Sequence, residues 1–289
     1  MSRLAPVDRW TLAYAALSTL ALSLHWPVRA PWAPLLLVAQ TCLALTALLA
    51  PHARRSGPLG RFLGDLYPLA LVSFLYTEIG VLNLSAGRSF DNLVQSWEAS
   101  LFGMQPSREW IRACPWPWLS TLMHLGYLSY YLIVAAPPLT LWFAGRRRSA
   151  QSLVLVIAAT FYVCYSIFLV FPVAGPRYTF PLVSNAASGI PLAVMTQGFL
   201  NSGAAWGTAF PSSHVAVALA ASFKAGRDSP VLGWIFVPLA AVLTLGTVYG
   251  QFHYALDALA GALVAAAVLI CVREPSTPGS RPLLPANPG

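Results

Sequence analysis

Gln151-Ser-Leu-Val-Leu-Val-Ile-Ala-Ala-Thr-Phe-Tyr-Val-Cys-Tyr-Ser-Ile-Phe-Leu-Val-Phe171 carries no charge along its length, and Arg146-Arg147-Arg148 stands two residues before it. A helix rises 1.5 Å per residue, so about 20 such residues cross a hydrocarbon core of roughly 30 Å. Working outward, further apolar runs fall at 11–26, 32–50, 62–84, 119–143, 208–224, 231–250 and 253–272. The whole chain of 289 residues is 57% hydrophobic and 9% charged, with mean hydropathy +0.65. Soluble domains carry about 25% charged residues. The fold class expected is therefore all-α, a polytopic membrane helical bundle with about eight transmembrane helices.

The charges fix an orientation. With the N-terminus inside, the inner segments hold Arg3, Arg9, Arg54, Arg55, Arg61, Arg146, Arg147, Arg148, Lys224, Arg227, Arg273 and Arg281, twelve of the 17 Lys and Arg. Arg29, Arg88, Arg108, Arg112 and Arg177 fall outside. Basic residues collect on the cytoplasmic side of short loops, so both termini are expected in the cytoplasm. That distribution also accounts for the net charge of +8 without a nucleic-acid partner. Trp26, Trp32, Trp116, Trp118 and Trp206 then lie near the outer interface, and Trp10, Trp142 and Trp234 near the inner one. Arg3 and Arg9 before an apolar stretch imitate a signal peptide, but Pro31 after Ala30 is a poor cleavage context, so a retained first span is expected. Cys42, Cys114, Cys164 and Cys271 are scattered with no CxxC pair, indicating neither a disulfide framework nor a zinc site.

Four regions follow: N-terminal transmembrane helices over 1–84, an outer interfacial segment over 85–118, a catalytic transmembrane core over 119–272, and a disordered cytoplasmic tail over 273–289. In the second region Phe90, Leu93, Val94, Trp97, Leu101 and Phe102 recur at helical steps with Asp91, Gln95 and Glu98 between them. This predicts an amphipathic helix lying in the interface. Residues 172–210 contain Pro172, Pro176, Pro181 and Pro191, and so long a connection without regular structure is usually functional.

Ionisable residues kept near hydrocarbon are functional suspects. His253 and Asp257 are four apart, a spacing that shares one helix face and lets a carboxylate fix an imidazole tautomer. The competing reading is a buried polar pair that packs two helices; a metal pair lacks a third ligand at suitable spacing. Pro211-Ser212-Ser213-His214 reads as a helix start, with hydroxyls that cap and free N–H groups that attract an anion. Taken alone, it reads as an ordinary capped start with an incidental histidine. Arg177 is the single basic residue of its loop, suited to bidentate phosphate binding or to anchoring at lipid headgroups. His25, His52 and His124 have no carboxylate at helical spacing and are expected in structural or surface roles. Span parity brings Arg177, His214 and His253 to one side of the membrane.

The order Gly175-Pro176-Arg177, Pro211-Ser212-Ser213-His214, His253-Tyr254-x-x-Asp257 resembles the type 2 phosphatidic acid phosphatase superfamily. Within it, the chain looks most like the inositol phosphorylceramide synthase (aureobasidin-resistance) and sphingomyelin synthase branch. Phe90-Asp91, the run Trp97-Glu98-Ala99-Ser100-Leu101-Phe102-Gly103, and Pro106-Ser107 resemble that branch's segment before the core. The resemblance spans about residues 85 to 272 and implies a six-helix-type phosphatase core. It also implies a phosphohistidine mechanism: His253 as nucleophile, Asp257 orienting it, His214 as general acid, and Arg177 with the N–H groups of Ser212 and Ser213 holding phosphate oxygens. Neither metal nor cofactor is implied.

The chain departs from the phosphatases' pattern of K-x6-R-P, P-S-G-H and S-R-x5-H-x3-D. Val170 stands at the lysine position, Arg177 follows its proline, Ser213 replaces glycine, and Gly246-Thr247 replaces Ser-Arg. A phosphate monoester is nearly a dianion at neutral pH, whereas a diester is a monoanion needing fewer cations. The reduced cradle therefore favours transfer of a phospho-headgroup from a membrane phospholipid or sphingolipid-type substrate to a lipid or polyol acceptor, or to water. Hydrolysis of phosphatidic acid or a polyprenyl diphosphate is the alternative within the class. A non-catalytic lipid or anion transporter is the alternative of another class. An intramembrane serine hydrolase lacks a G-x-S-x-G elbow.

Overall fold

The computed structural model describes residues 4–24 and 32–272, the side chains of 84–86 excepted. Expectations for Arg3, His25, Trp26, Arg29, Ala30, Pro31 and the tail over 273–289 lie outside the described residues. Backbone polar groups in lipid have no water to bond, so apolar stretches must close their own hydrogen bonds, and the described residues are helical with no strand. The helices are α1 Pro6–Leu24, α2 Ala33–Ala53, α3 Pro58–Ala86, α4 Asp91–Phe102, α5 Pro106–Ala113, α6 Pro117–Leu128, α7 Tyr130–Phe143, α8 Arg147–Val170, α9 Pro176–Thr179, α10 Pro191–Gly203, α11 Ser213–Asp228, α12 Pro230–Tyr249 and α13 Ala255–Cys271. Proline opens most of them, where its missing N–H costs nothing.

By length and hydropathy, α2, α3, α8 and α12 are able to cross a membrane, and α6 with α7 make a fifth crossing if counted as one span. That fits a multi-pass membrane protein but falls short of the eight spans expected. The helix α13 is apolar yet has 17 residues, and α11 has 16 with Lys224, Arg227 and Asp228 in its last turns. The expected single span over 119–143 is instead two helices meeting at 43°. The break sits at Ser129, whose hydroxyl donates to the Gly126 carbonyl at 2.6 Å, competing with the backbone ladder. The bend presents Tyr127 and Tyr130 to the same neighbour, His214.

The charge-free run that begins the argument is the most enclosed element. Nearly every residue of α8 from Ala150 to Leu169 is buried, packed by α1, α3, α7 and α11. Tyr162 stacks on Tyr14 with ring centroids 5.0 Å apart, and its hydroxyl lies 2.9 Å from that of Thr11. The helix α11 in turn contacts α7, α8, α12 and α13.

One end of the bundle is tied by ions. Arg54 at the end of α2 makes a bidentate bond to buried Asp8 of α1, both at 2.7 Å, and reaches Asp65 of α3 at 3.3 Å. Arg147 at the start of α8 also binds Asp65, as does Gln151 at 2.7 Å. Arg147, expected only to mark orientation, is thus part of a buried network. The end of α8 and the starts of α11 and α13 lie at the opposite end of the bundle.

Two connecting segments differ from expectation. The helix expected within 85–118 forms as α4, but its faces are reversed from the usual surface helix. Asp91, Val94 and Glu98 are buried, while Leu93, Trp97, Leu101 and Phe102 are exposed. An apolar outer face suits contact with hydrocarbon, and the carboxylates turn inward to bond protein. The connection over 172–210 is not structureless: it contains α9 and the 13-residue α10.

Candidate active site

Three elements converge. The chain leaves α8 at Phe171, and Val173 pairs with Thr208 in an isolated parallel bridge, the Ala209 N–H donating to the Val173 carbonyl at 2.9 Å. This places the Gly175-Pro176-Arg177 turn beside Pro211-Ser212-Ser213-His214. Ser212 is the N-cap of α11, its hydroxyl accepting from the Val215 N–H at 3.3 Å. Its own N–H donates to the Asp257 carbonyl at 2.9 Å, which locks the start of α11 to α13. That N–H is therefore engaged, and the amides of Ser213 and His214 are the ones at a helix start without an intrahelical acceptor.

His253 lies in the turn before α13, not on the helix with Asp257 as the spacing predicts. The backbone N–H groups of Phe252 and His253 both donate to the Thr247 carbonyl at 3.0 Å. The imidazole Nδ1 is 3.0 Å from the Ala209 carbonyl oxygen, which only accepts, so Nδ1 carries the proton and Nε2 the lone pair. Nε2 lies 3.4 Å from His214 Nδ1, and His214 Nε2 lies 3.4 Å from the Tyr127 hydroxyl. The consistent chain of donors runs Tyr127 O–H to His214, His214 N–H to His253, and His253 N–H to Ala209. Tyr130 packs on the His214 ring at 4.4 Å between centroids.

Asp257 is fully buried, with Oδ2 3.5 Å from His253 Nδ1 and accepting the Tyr254 N–H at 2.8 Å. Its nearest service to His253 is thus to shape the Tyr254 turn and place a carboxylate behind Nδ1, while the direct hydrogen bond goes to Ala209. The carbonyl of Ala209 offers no side-chain signal from which that role is legible.

Arg177 donates to Asn201 Oδ1 at 2.6 Å, packs over the Tyr178 ring, and leaves Nη1 buried without a partner. A cavity of about 30 Å³, room for roughly one water, lies among Arg177, His214, His253, Tyr76, Tyr127 and Thr208. Arg177 also borders a larger cavity of about 580 Å³. His124, Gln197, Asn201, Ser188 and Gln251 line that second space. His124 is therefore a cavity wall residue, its Nδ1 2.7 Å from the Ser120 carbonyl. Arg112 holds Gln251 at 3.0 Å and the Pro181 carbonyl at 2.7 Å, so it braces the loop; Arg108 pairs with Glu109 at 3.5 Å among exposed groups.

The two missing cations have different surroundings. Val170 is 74% exposed at the end of α8 and lines neither cavity beside Arg177. Thr247 is buried in the His253 turn, and a Cβ on adjacent Gly246 would collide with the Met123 carbonyl. Gly246 is what allows α12 to approach α6 so closely, so a side chain there is excluded by packing.

Asp91, Gln95 and Glu98, expected only as the polar residues of an interfacial helix, form a second polar set beside the site. Asp91 accepts from the N–H groups of Ala174 and Gly175, each at 2.8 Å, and from the Tyr254 hydroxyl at 2.9 Å. Tyr254 in turn accepts from Gln95 at 2.8 Å and meets Thr179 at 2.8 Å. Glu98 accepts the Ala255 N–H at 2.6 Å. Burial pushes the Glu98 carboxyl up to about 7, opposed by that N–H and reinforced by nearby Asp257. Two carboxylates seven apart on a helix whose apolar face is elsewhere were the available signal.

No solved structure matches the chain. A PA-phosphatase related-family protein of Dictyostelium discoideum is 31% identical over 108 residues, a match covering 35% of this chain and 19% of that protein. The chain thus spans about a fifth of that relative's length. Residues 92–271, from α4 through α13, match the PAP2 superfamily. That match takes in the paired histidines, Arg177 and Glu98 and covers more than half the sequence, and the chain belongs to the PAP2 superfamily.

Proposed function

We propose that this protein is an integral-membrane lipid phosphotransferase of the inositol phosphorylceramide synthase and sphingomyelin synthase type, moving a phospho-headgroup between lipids or to water. The observation that carries the reading is the ordered pair of imidazoles, His253 with its Nδ1 proton held by Ala209 and its Nε2 lone pair beside His214. His253 Nε2 attacks phosphorus, forming a P–N bond as the P–O bond to the departing alcohol breaks. His214, entering this step as the imidazolium, gives one proton to the leaving oxygen and becomes the neutral imidazole. An acceptor hydroxyl or water then attacks the phosphohistidine, its proton passes to His214, and the P–N bond breaks. Arg177, with its unpartnered Nη1, and the N–H groups at the start of α11 hold the phosphoryl oxygens. Asp257 stabilises the charge that develops on the His253 ring.

With one arginine in the cradle, a monoanionic diester is the better match. The likeness to a PA-phosphatase related-family protein of Dictyostelium favours the second reading, hydrolysis of a phosphatidic-acid-like monoester. In the proposed arrangement about eight spans cross the membrane, α4 lies in the outer interface, both termini are cytoplasmic, and the site opens on the extracytoplasmic face.

The test is a panel of labelled phospholipids given to purified protein, with and without a diacylglycerol, ceramide or polyol acceptor. His253→Ala is expected to abolish turnover, and His214→Ala to lower it about 10²–10⁴-fold. Acid-labile phosphate trapped on His214→Ala separates nucleophile from acid. Unchanged turnover in His253→Ala sinks the mechanism.

A further inference from the structure

The helix α4 lies outside the reacting pair, yet it supplies the acceptors for both backbone turns that form the site. Asp91 receives four donors: the N–H groups of Ala174 and Gly175, the hydroxyl of Tyr254 and the hydroxyl of Ser89. Two of these belong to the turn that carries Arg177, and one to the residue following His253. Glu98, on the same face of α4, takes the Ala255 N–H at the start of α13. Gln95 between them donates to Tyr254, whose hydroxyl is also 2.8 Å from Thr179. Phe90 N–H donates to the Pro172 carbonyl at 2.9 Å, and its ring stacks on Phe171 at 4.4 Å, anchoring the start of α4 to the same loop.

Loop amides and helix starts usually find their partners in water. Here they sit beneath a helix whose outer face is apolar, with Leu93, Trp97 and Leu101 exposed, and Asp91 and Glu98 are buried. Unpaired amides in such a place are costly, and the carboxylates replace the missing solvent. The consequence is geometric. The turn bearing Arg177 and the turn bearing His253 meet through Thr179 with Tyr254 and through Gln251 with the Pro176 carbonyl, and both are bonded in addition to the one helix α4.

We propose that Asp91 and Glu98 are positioning residues, which set the distance between the phosphate-binding turn at Arg177 and the nucleophile turn at His253. This rests on the phosphotransfer reading of His253. The two carboxylates act differently. Asp91 faces donors alone, so an asparagine would set its NH₂ against an N–H or O–H. Glu98 faces the backbone N–H groups of Ala255 and Leu256, which a glutamine carbonyl also accepts, and its second oxygen has no partner, so conservative replacement is tolerated there and not at Asp91.

Full-length Asp91→Ala, Asp91→Asn, Glu98→Ala, Glu98→Gln and the exposed-face control Ser96→Ala would be purified in detergent and melted. Each is then assayed on the phospholipid that wild type turns over fastest. The expected result is a fall in kcat of about tenfold to a hundredfold in both alanine variants and in Asp91→Asn, with KM within about twofold. Glu98→Gln recovers most of the Glu98→Ala loss, and Ser96→Ala matches wild type. In parallel, diethyl pyrocarbonate labelling of His253 is followed by peptide mass spectrometry without substrate. The labelling rate of His253 is expected to change about threefold or more in the same three variants and to stay put in Glu98→Gln, the scale of a displaced turn. If wild type turns over no phospholipid, the phosphotransfer reading fails and the labelling alone decides the positioning role. Unchanged kcat and unchanged labelling in both alanine variants overturn it. So does a loss that follows melting temperature across all five variants with no recovery in Glu98→Gln.

Discussion

A backbone carbonyl sets the proton on His253. Because Ala209 O accepts and never donates, Nδ1 must hold the hydrogen, and the lone pair is left on Nε2 facing His214. Asp257 is 3.5 Å behind Nδ1 and is already committed to the Tyr254 amide. The spacing of four predicted the proximity of these two residues, although the turn before α13 and the Tyr254 N–H bond to Asp257 bring them together, not a shared helix face. It did not predict which acceptor takes the proton, because Ala209 arrives from a loop 44 residues earlier. Tyr127 is the same kind of surprise: a hydroxyl 87 residues from His214 with no motif around it. If its O–H holds the His214 tautomer, Tyr127→Phe should lower turnover about fivefold to tenfold, the rate equivalent of one net hydrogen bond of ~1 kcal/mol. Steady-state kinetics on the preferred phospholipid check this, with melting lowered by no more than that one bond because the ring contact survives.

At the scale of the element, α4 carries the clearest lesson. Its apolar periodicity identifies a helix at the correct place, and the structure supports it from Asp91 to Phe102. Periodicity alone leaves open which face turns inward. An ordinary surface helix buries its apolar stripe, whereas α4 buries Asp91 and Glu98 and exposes Trp97 and Leu101. The burial of Glu98 has a pH signature. Its carboxyl is raised from an ordinary value of 4.5 to about 7, chiefly by desolvation. Between those values the unfolded chain has lost a proton that the folded chain keeps, so stability falls as pH rises through the window and levels off above it. Glu98→Gln should remove that slope. Melting temperature recorded from pH 4 to 8 (on the order of the window's width) for wild type and variant checks it. The bend between α6 and α7 has the opposite character, since a continuous apolar run at 119–143 hides a break made by one serine hydroxyl.

Across the whole molecule, the two ends of the bundle do different work. One end gathers the site; the other gathers Asp8, Arg54, Asp65 and Arg147 from α1, the end of α2, α3 and α8. Asp8 and Asp65 are buried, and removing one partner from such a cluster strands a charge. Asp65→Ala should therefore destabilise the bundle by ~3–5 kcal/mol. Melting in detergent reads that loss, and initial rates per folded molecule taken well below the transition should stay near wild type, because the cluster is at the far end from His253. The sequence by itself determined that the chain is a helical membrane bundle, since long uncharged runs leave the backbone no other way to satisfy its hydrogen bonds in lipid. It also determined the motif residues, because a histidine or arginine beside hydrocarbon persists only with a reason. What tertiary structure alone decided is the site's inner wiring: the Ala209 carbonyl behind His253, Tyr127 on His214, and the carboxylates of α4 on two separate turns. Local patterns record a residue's period and its neighbours in the chain, whereas each of those bonds joins groups brought together only when distant helices pack.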